Sequence, residues 1–368
     1  MRYYIIAGEA SGDLHASNLV KHLKTLDQQA VFRGWGGDKM EKYGVDLVKH
    51  YRDLAFMGFT EVLLNLKTIL NNLKFCKKDV LEWKPDVLIL VDYPGFNLRI
   101  ASFAHQKGIK VFYYISPQIW AWKQSRVHQI KRNVDAMFVI LPFEQEFYAR
   151  FGMEVHFEGH PLTDALKEGE TETEKINTEG SKKRIALLPG SRKQEIKTML
   201  PEMIKAVQMN PDWKATIAGV SSISPAFYNQ IIGNNNIPLE FNKTYELLRK
   251  SDAALVTSGT ATLEAGLIGV PTVVCYKGGR ISYYIARQLI KVKYISLVNL
   301  MLNRAAVPEL IQHTMNPRNL HQELDALLND AHRRTKMKQD LEELKVLCGE
   351  PGASARIANK MVELLTKA

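Results

Sequence analysis

Cysteine is scarce: Cys76, Cys275 and Cys348 stand at no spacing that would build a disulfide framework or hold a zinc ion. That usage suits a reducing compartment. No run of about 18 apolar residues occurs, so no membrane-spanning helix is expected and any membrane contact should be peripheral. The N-terminal apolar run in MRYYIIAGEASGD breaks at Gly8, and it reads as a first strand rather than a signal peptide. The absence of G-x-x-x-x-G-K-[ST] excludes a P-loop NTPase, and the absence of G-x-S-x-G removes the usual nucleophile-elbow hydrolase signature. Gly8 and Gly12 do not form G-x-G-x-x-G, and no acidic residue closes the strand Ala30–Arg33, which disfavours NAD. No D-x-D is present, so the usual carboxylate clamp for a divalent metal is missing. Internal repeats and low-complexity segments are absent too.

What is present argues for two α/β domains. The chain has 368 residues, against a prior of about 150 per domain, and 46% of them are hydrophobic, enough for two cores. Lys and Arg number 49 against 39 acidic residues, a net charge of +10. This balance suits nucleotides, phospholipid surfaces or nucleic acid, or serves solubility alone. Apolar strand patterns at Arg2–Ala7, Ala30–Arg33, Asp86–Val91, Val111–Ile115, Ala136–Leu141 and Glu154–Glu158 alternate with helical ones. Residues 167–183, KEGETETEKINTEGSKK, are charged and aperiodic, as a linker is. The alternation then restarts with strands at Arg184–Leu188, Lys214–Ala218, Asp252–Val256 and Pro271–Tyr276. From Ser282 the chain reads as helical and basic, through YISLVNLML and VPELIQ, to a last helix at Ser354–Leu365. The expected organisation is a doubly wound domain over 1–166, a linker over 167–183 and a second such domain over 184–345. Residues 346–368 are expected to pack back on the first domain, and a cleft is expected between the two.

Candidate chemistry lies at strand ends. In TSGTATLEAGLIGV, residues 257–270, Ser258, Gly259 and Thr260 stand at the mouth of a short helix that Gly269 ends. Free N–H groups and the helix dipole there suit a diphosphate, although an ordinary helix cap explains the pattern equally well. Arg192, in PGSRKQEI after the second domain's first strand, can fork onto a phosphate, and Glu264 is placed to accept ribose hydroxyls. In VDYPGFN, Asp92 is either a general base or the N-cap of the following helix. The loops GEASGD and GWGG imply either close ligand approach or tight packing turns. Trp120, Trp122 and Lys123 either line a sugar or acyl site or pack. His160 has no partner at metal spacing, so a structural role is expected. Residues 54–75 are either a buried amphipathic helix or a surface set against acyl chains.

Eight ordered motifs then give a specific resemblance. GEASGD (8–13), GWGGDKM (34–40), VDYPGFN (91–97), YISPQIWAWK (114–123), GHPL (159–162), LPGSRKQEI (188–196), SGTATLEA (258–265) and VPELIQ (307–312) resemble the lipid-A-disaccharide synthase family. The resemblance implies a GT-B fold of two Rossmann-like domains. It also implies an inverting transfer of 2,3-diacylglucosamine from its UDP derivative to 2,3-diacylglucosamine 1-phosphate, without cofactor, metal or nucleic acid. Asp92 would be the base. Arg192, Ser258, Gly259, Thr260, Thr262, Glu264, Asn299, Glu309 and Gln312 would line the UDP side, and Gly8, Ser11, Gly12, Asp13, Trp120 and Lys123 the acceptor and lipid side. The implied location is cytoplasmic, peripheral on the phospholipid surface at the inner face of the inner membrane. A UDP-sugar 2-epimerase of similar architecture is the alternative.

Overall fold

A computed structural model describes residues 1–53, 66–168, 182–279 and 292–367. The chain divides into two units, Met1–Asp164 with Gly349–Ala368, and Ala165–Cys348. The first holds a seven-stranded parallel sheet, β1 (Arg2–Ala7), β2 (Val31–Gly36), β3 (Asp46–His50), β4 (Val87–Val91), β5 (Lys110–Tyr114), β6 (Ala136–Val139) and β7 (His156–Phe157). Its strand order is β3-β2-β1-β4-β5-β6-β7. The second unit holds β8 (Lys183–Leu188), β9 (Trp213–Gly219), β10 (Leu239–Phe241), β11 (Ala253–Thr257), β12 (Thr272–Tyr276) and β13 (Glu309–Ile311). These are ordered β10-β9-β8-β11-β12-β13, again parallel. In each sheet the chain first winds outward from its first strand, then returns to that strand's other side. The β1/β4 and β8/β11 pairs are therefore topological switch points, where ligands of open α/β sheets bind outside the carboxyl ends.

Helices on both faces explain why the central strands are continuous apolar runs. All five residues of β4, VLILV, are buried, and so are all five of β11. The first core joins Ile5, Leu19, Leu23, Ile89 and Phe138 to Ile357, Ala358 and Met361 of the helix Ala353–Thr366. Each such apolar side chain stabilises by about 1.5–3 kcal/mol when fully buried. The second core gathers Leu188, Leu248, Val256 and Val270 around β8 and β11.

Several local expectations are corrected. Gly34 and Gly36 lie inside β2 rather than in a loop. A Cβ on Gly34 would stand 1.9 Å from the Ile5 carbonyl oxygen, so what comes close there is the neighbouring strand, not a ligand. GEASGD is not wholly a turn, because the helix Ala10–Leu26 starts within it. VPELIQ is not helical: Glu309–Ile311 pairs with β12 as an edge strand. The edge strands β3 and β10 lack the long apolar signature of a central strand, having at most partial burial. Residues 54–65 of the apolar 54–75 stretch, and most of the 167–183 linker, lie outside the described residues.

Candidate active site

At the end of β4 the backbone changes hand. Asp92 has φ +46° and Tyr93 φ +49°. Left-handed geometry costs an ordinary L-residue about 1–2 kcal/mol, so two in succession need support from their surroundings. Tyr93, not Asp92, is the N-cap of the helix Pro94–Gln106, and no side chain caps it. The N-cap reading of Asp92 is thereby overturned. The β1–β4 register places Ala7 beside Val91, so the residues that follow each strand converge. Burial first and the nearby Glu9 carboxylate second push the Asp92 carboxyl up to about 7, with the Tyr93 N–H opposing both. Glu9 is a functional candidate that motif reading missed; its position directly after β1 and Gly8 was the available signal.

Other first-unit candidates serve the fold. A Cβ on Gly8 would lie 2.4 Å from the Tyr93 ring, so this glycine is the notch that admits that ring. At Gly12 the same atom would meet the Ala7 side chain at 3.3 Å, a close helix-on-strand approach. Asp13 is only 2% exposed. It accepts N–H bonds from Gly37 (2.8 Å), Met40 (3.1 Å) and Lys39 (3.2 Å), tying down the helix Asp38–Lys42. Trp120, 7% exposed, donates to the buried Glu144 at 3.1 Å and stands edge-on to Phe143, so it packs rather than lines a site. The exposed aromatic is Trp122, under the Arg126 guanidinium, with Lys123 exposed beside it. Ser11 stays half-buried on the first helical turn. His160 is buried, accepts the Leu162 N–H at 3.1 Å, and is driven down to about 3 by burial and then by His15. Among the described residues no cluster of His, Cys, Asp or Glu is arranged to hold a metal.

The second unit presents its groups at the β8/β11 switch point. Arg192 is the N-cap of the helix Lys193–Gln208, and Glu195 closes a reciprocal capping box with it. The Glu195 carboxylate accepts the Ser191 N–H at 3.1 Å and the Arg192 guanidinium at 2.9 Å. The Arg192 side chain is 54% exposed. A surface ion pair of that kind contributes about 0–1 kcal/mol, so a diphosphate can displace it. After β11, Gly259 (φ +154°) is the N-cap of the helix Thr260–Ile268, with no side-chain cap. Nothing lies within 4 Å of a Cβ placed on Gly259, and Thr260 is exposed, so the uncapped amides face open space. Ser258 is half-buried, its hydroxyl donating to the Ile295 carbonyl at 3.2 Å. Glu264 accepts the Tyr245 hydroxyl at 2.9 Å; burial raises its carboxyl and Tyr245 opposes the rise. Tyr245 was also missed, because its partner lies on another helix.

Four further donor-side candidates are held by hydrogen bonds within the second unit. Thr262 is fully buried and donates to the Gly259 carbonyl at 2.8 Å. Asn299, also fully buried, donates to the Val307 carbonyl and to Glu309, and accepts the Val307 N–H. Glu309 takes in addition the Ser296 N–H (2.9 Å) and hydroxyl (2.8 Å) and the Ile295 N–H (3.0 Å). Gln312, at φ +55°, donates its backbone N–H to the Tyr276 carbonyl at 2.7 Å. Its side-chain amide, oriented to satisfy both partners, pairs with the Gly278 N–H and carbonyl at 3.2 Å each. These four side chains are engaged within the second unit, whereas Arg192, Ser258, Gly259 and Thr260 follow the paired ends of β8 and β11.

The profile of the family described as Lipid-A-disaccharide synthetase matches residues 3–361. The chain belongs to the lipid-A-disaccharide synthase family. Members named lipid-A-disaccharide synthase include that of Syntrophus aciditrophicus, 40% identical over 99% of this chain and 97% of its own. That of Myxococcus xanthus is 39% identical at the same coverage. The fold is GT-B, and solved structures of the same architecture include the S. aureus MnaA–UDP complex, TM-score 0.70 at 15% identity, covering 99% of this chain and 97% of that one. The UDP-GlcNAc 2-epimerase of Neisseria meningitidis bound to UDP-GlcNAc has TM-score 0.67 at 12% identity, covering 99% and 100%. At such identities the likeness shows the fold alone.

Proposed function

We propose that this chain is an inverting glycosyltransferase moving 2,3-diacylglucosamine from UDP-2,3-diacylglucosamine to 2,3-diacylglucosamine 1-phosphate. Membership of the family supports the lipid A disaccharide-forming activity. The observation that carries the mechanism is the half-buried Asp92 at the β1/β4 switch point, its carboxyl pushed up to about 7. A carboxyl near neutrality is suited to remove a proton from a hydroxyl at physiological pH. Asp92 takes the proton of the acceptor 6-hydroxyl as its oxygen bonds to the anomeric carbon. The bond from that carbon to the diphosphate breaks, and UDP leaves with the electron pair. Arg192 and the uncapped amides at Gly259 and Thr260 neutralise the departing diphosphate. Glu264, held by Tyr245, receives ribose hydroxyls.

The acceptor is a lipid, so the protein has to work at a phospholipid surface, which we place at the cytoplasmic face of the inner membrane. No described helix is long and apolar enough to cross a membrane. On the helix Leu66–Trp83, Leu70, Phe75 and Leu81 are exposed among Lys67, Lys74 and Lys78, a composition suited to acyl chains beneath lipid phosphates. Mass spectrometry of reactions containing both glycolipids, and of reactions lacking each in turn, tests the assignment. A disaccharide 1-phosphate should form only with both present. Isomerisation of UDP-sugar alone would replace the assignment with an epimerase.

A further inference from the structure

We infer that Tyr113 and Asn97 form a positioning clamp that grips the Asp92 carbonyl and holds the catalytic base in its left-handed turn. This rests on the reading of Asp92 as the base. The carbonyl oxygen of Asp92 accepts the Tyr113 hydroxyl at 2.6 Å and the Asn97 side-chain amide at 2.8 Å. Tyr113 comes from the middle of the first sheet, on β5, and Asn97 from the first turn of the helix after β4; both are fully buried. The Asp92 N–H is tied in turn to the Tyr114 carbonyl at 3.1 Å. On the next residue the Tyr93 ring fills the notch left by Gly8. Three elements thus hold two successive left-handed residues, a conformation that ordinary side chains leave unless over-determined.

Two further facts argue that the clamp is more than packing. Neither the Tyr113 hydroxyl nor the Asn97 amide belongs to the sheet ladder, so a phenylalanine at 113 would fill the same space. The Asn97 amide nitrogen also lies 3.2 Å from the Val91 carbonyl and 3.4 Å from that of Ile6, while its own oxygen is buried without a partner. A buried polar atom left unsatisfied is uncommon and calls for a reason. Here the amide is turned so that its donors face the carbonyls at the end of β4. The left-handed turn takes Asp92 out of the strand's alternation, and it sets the carboxyl among Glu9 from the β1 turn, Tyr113 from β5 and the adjacent Tyr93.

The test is Tyr113→Phe in the full-length enzyme, assayed with both glycolipid substrates. We expect kcat to fall roughly 10-fold or more, with KM for each substrate within about twofold of the parent. The acid limb of the kcat/KM profile should also move below its parental position, because a released carboxyl reaches water and titrates closer to its ordinary value. Asn97→Ala should reproduce both effects. Unchanged kcat and acid limb would overturn the clamp, and so would a fall in kcat with lowered melting temperature but an unmoved limb. Should Tyr113→Phe fail to fold, Gly8→Ala, which presses on Tyr93, takes its place. A lower kcat with a lowered acid limb is again expected, and an unmoved limb again overturns the clamp. Asp92→Asn separates the clamp from the reading beneath it. An inactive Asp92→Asn beside a parental Tyr113→Phe removes the clamp alone; a fully active Asp92→Asn removes the base assignment and the clamp with it.

Discussion

Replacing Glu9 with Gln removes a negative charge beside Asp92 while keeping side-chain volume. In the parent the Asp92 carboxyl is raised from 3.8 to about 7, by burial first and by Glu9 second. Glu9 is thus the smaller of the two raising causes, and its loss should lower the Asp92 value, by about one pH unit. The sign follows from the role: a general base works only when ionised, so activity is lost as pH falls through this value. At pH 6 the ionised fraction is about a tenth for a group titrating at 7 and about a half for one titrating at 6. Normalised to its own plateau, the variant should therefore be about fivefold more active than the parent at pH 6. The assay is kcat/KM against pH, whose acid limb reports the free enzyme's base. A limb that stays in place, or moves upward, refutes the electrostatic coupling of the two carboxylates. Any change in plateau height is read separately.

Asp92→Asn should reduce turnover by about 10²–10⁴ while UDP affinity, measured by calorimetry, stays parental. The same variant carries a stability signature. A carboxyl raised in the folded state binds more protons folded than unfolded between pH 3.8 and about 7, so it destabilises the fold increasingly as pH rises through that window. Asn removes this effect, and Asp92→Asn should unfold at higher temperature than the parent at pH 8 with little difference near pH 4. Arg192→Ala should weaken UDP binding roughly 10- to 100-fold, the scale of losing a charged hydrogen bond of about 1.5–3 kcal/mol, and unchanged affinity would remove Arg192 from the site. Gly259→Ala puts a methyl group into the open space before the helix Thr260–Ile268 and strains a φ of +154°. It should weaken UDP with little loss of turnover at saturating donor, and parental affinity would show that the helix mouth is not the diphosphate site.

Sequence and tertiary structure divide the explanation along physical lines. A strand covered on both faces must be apolar throughout, so VLILV of β4 and AALVT of β11 announced the two central strands without help. A helix that begins at a glycine and ends at a left-handed glycine is written locally as well, which is why SGTATLEAGLIG was legible. The same holds for Asp92 at a strand end. A polar side chain's partner, by contrast, is fixed by non-local pairing. Asp13, Trp120, Asn299, Glu309 and Gln312 have the chemistry of ligand-facing groups, and only the folded chain engages them with Gly37, Glu144, Val307, Ser296 and Gly278. The edge strand β13 was hidden for a related reason, since three half-buried residues carry too little periodicity to outweigh a helical context. The doubly wound class and the strand ends where chemistry should lie were readable from the chain alone, because burial and turn geometry leave local patterns. That Glu9 stands by Asp92, and that Tyr113 grips its carbonyl, emerged only on folding, because strand order and register bring together residues that no spacing relates.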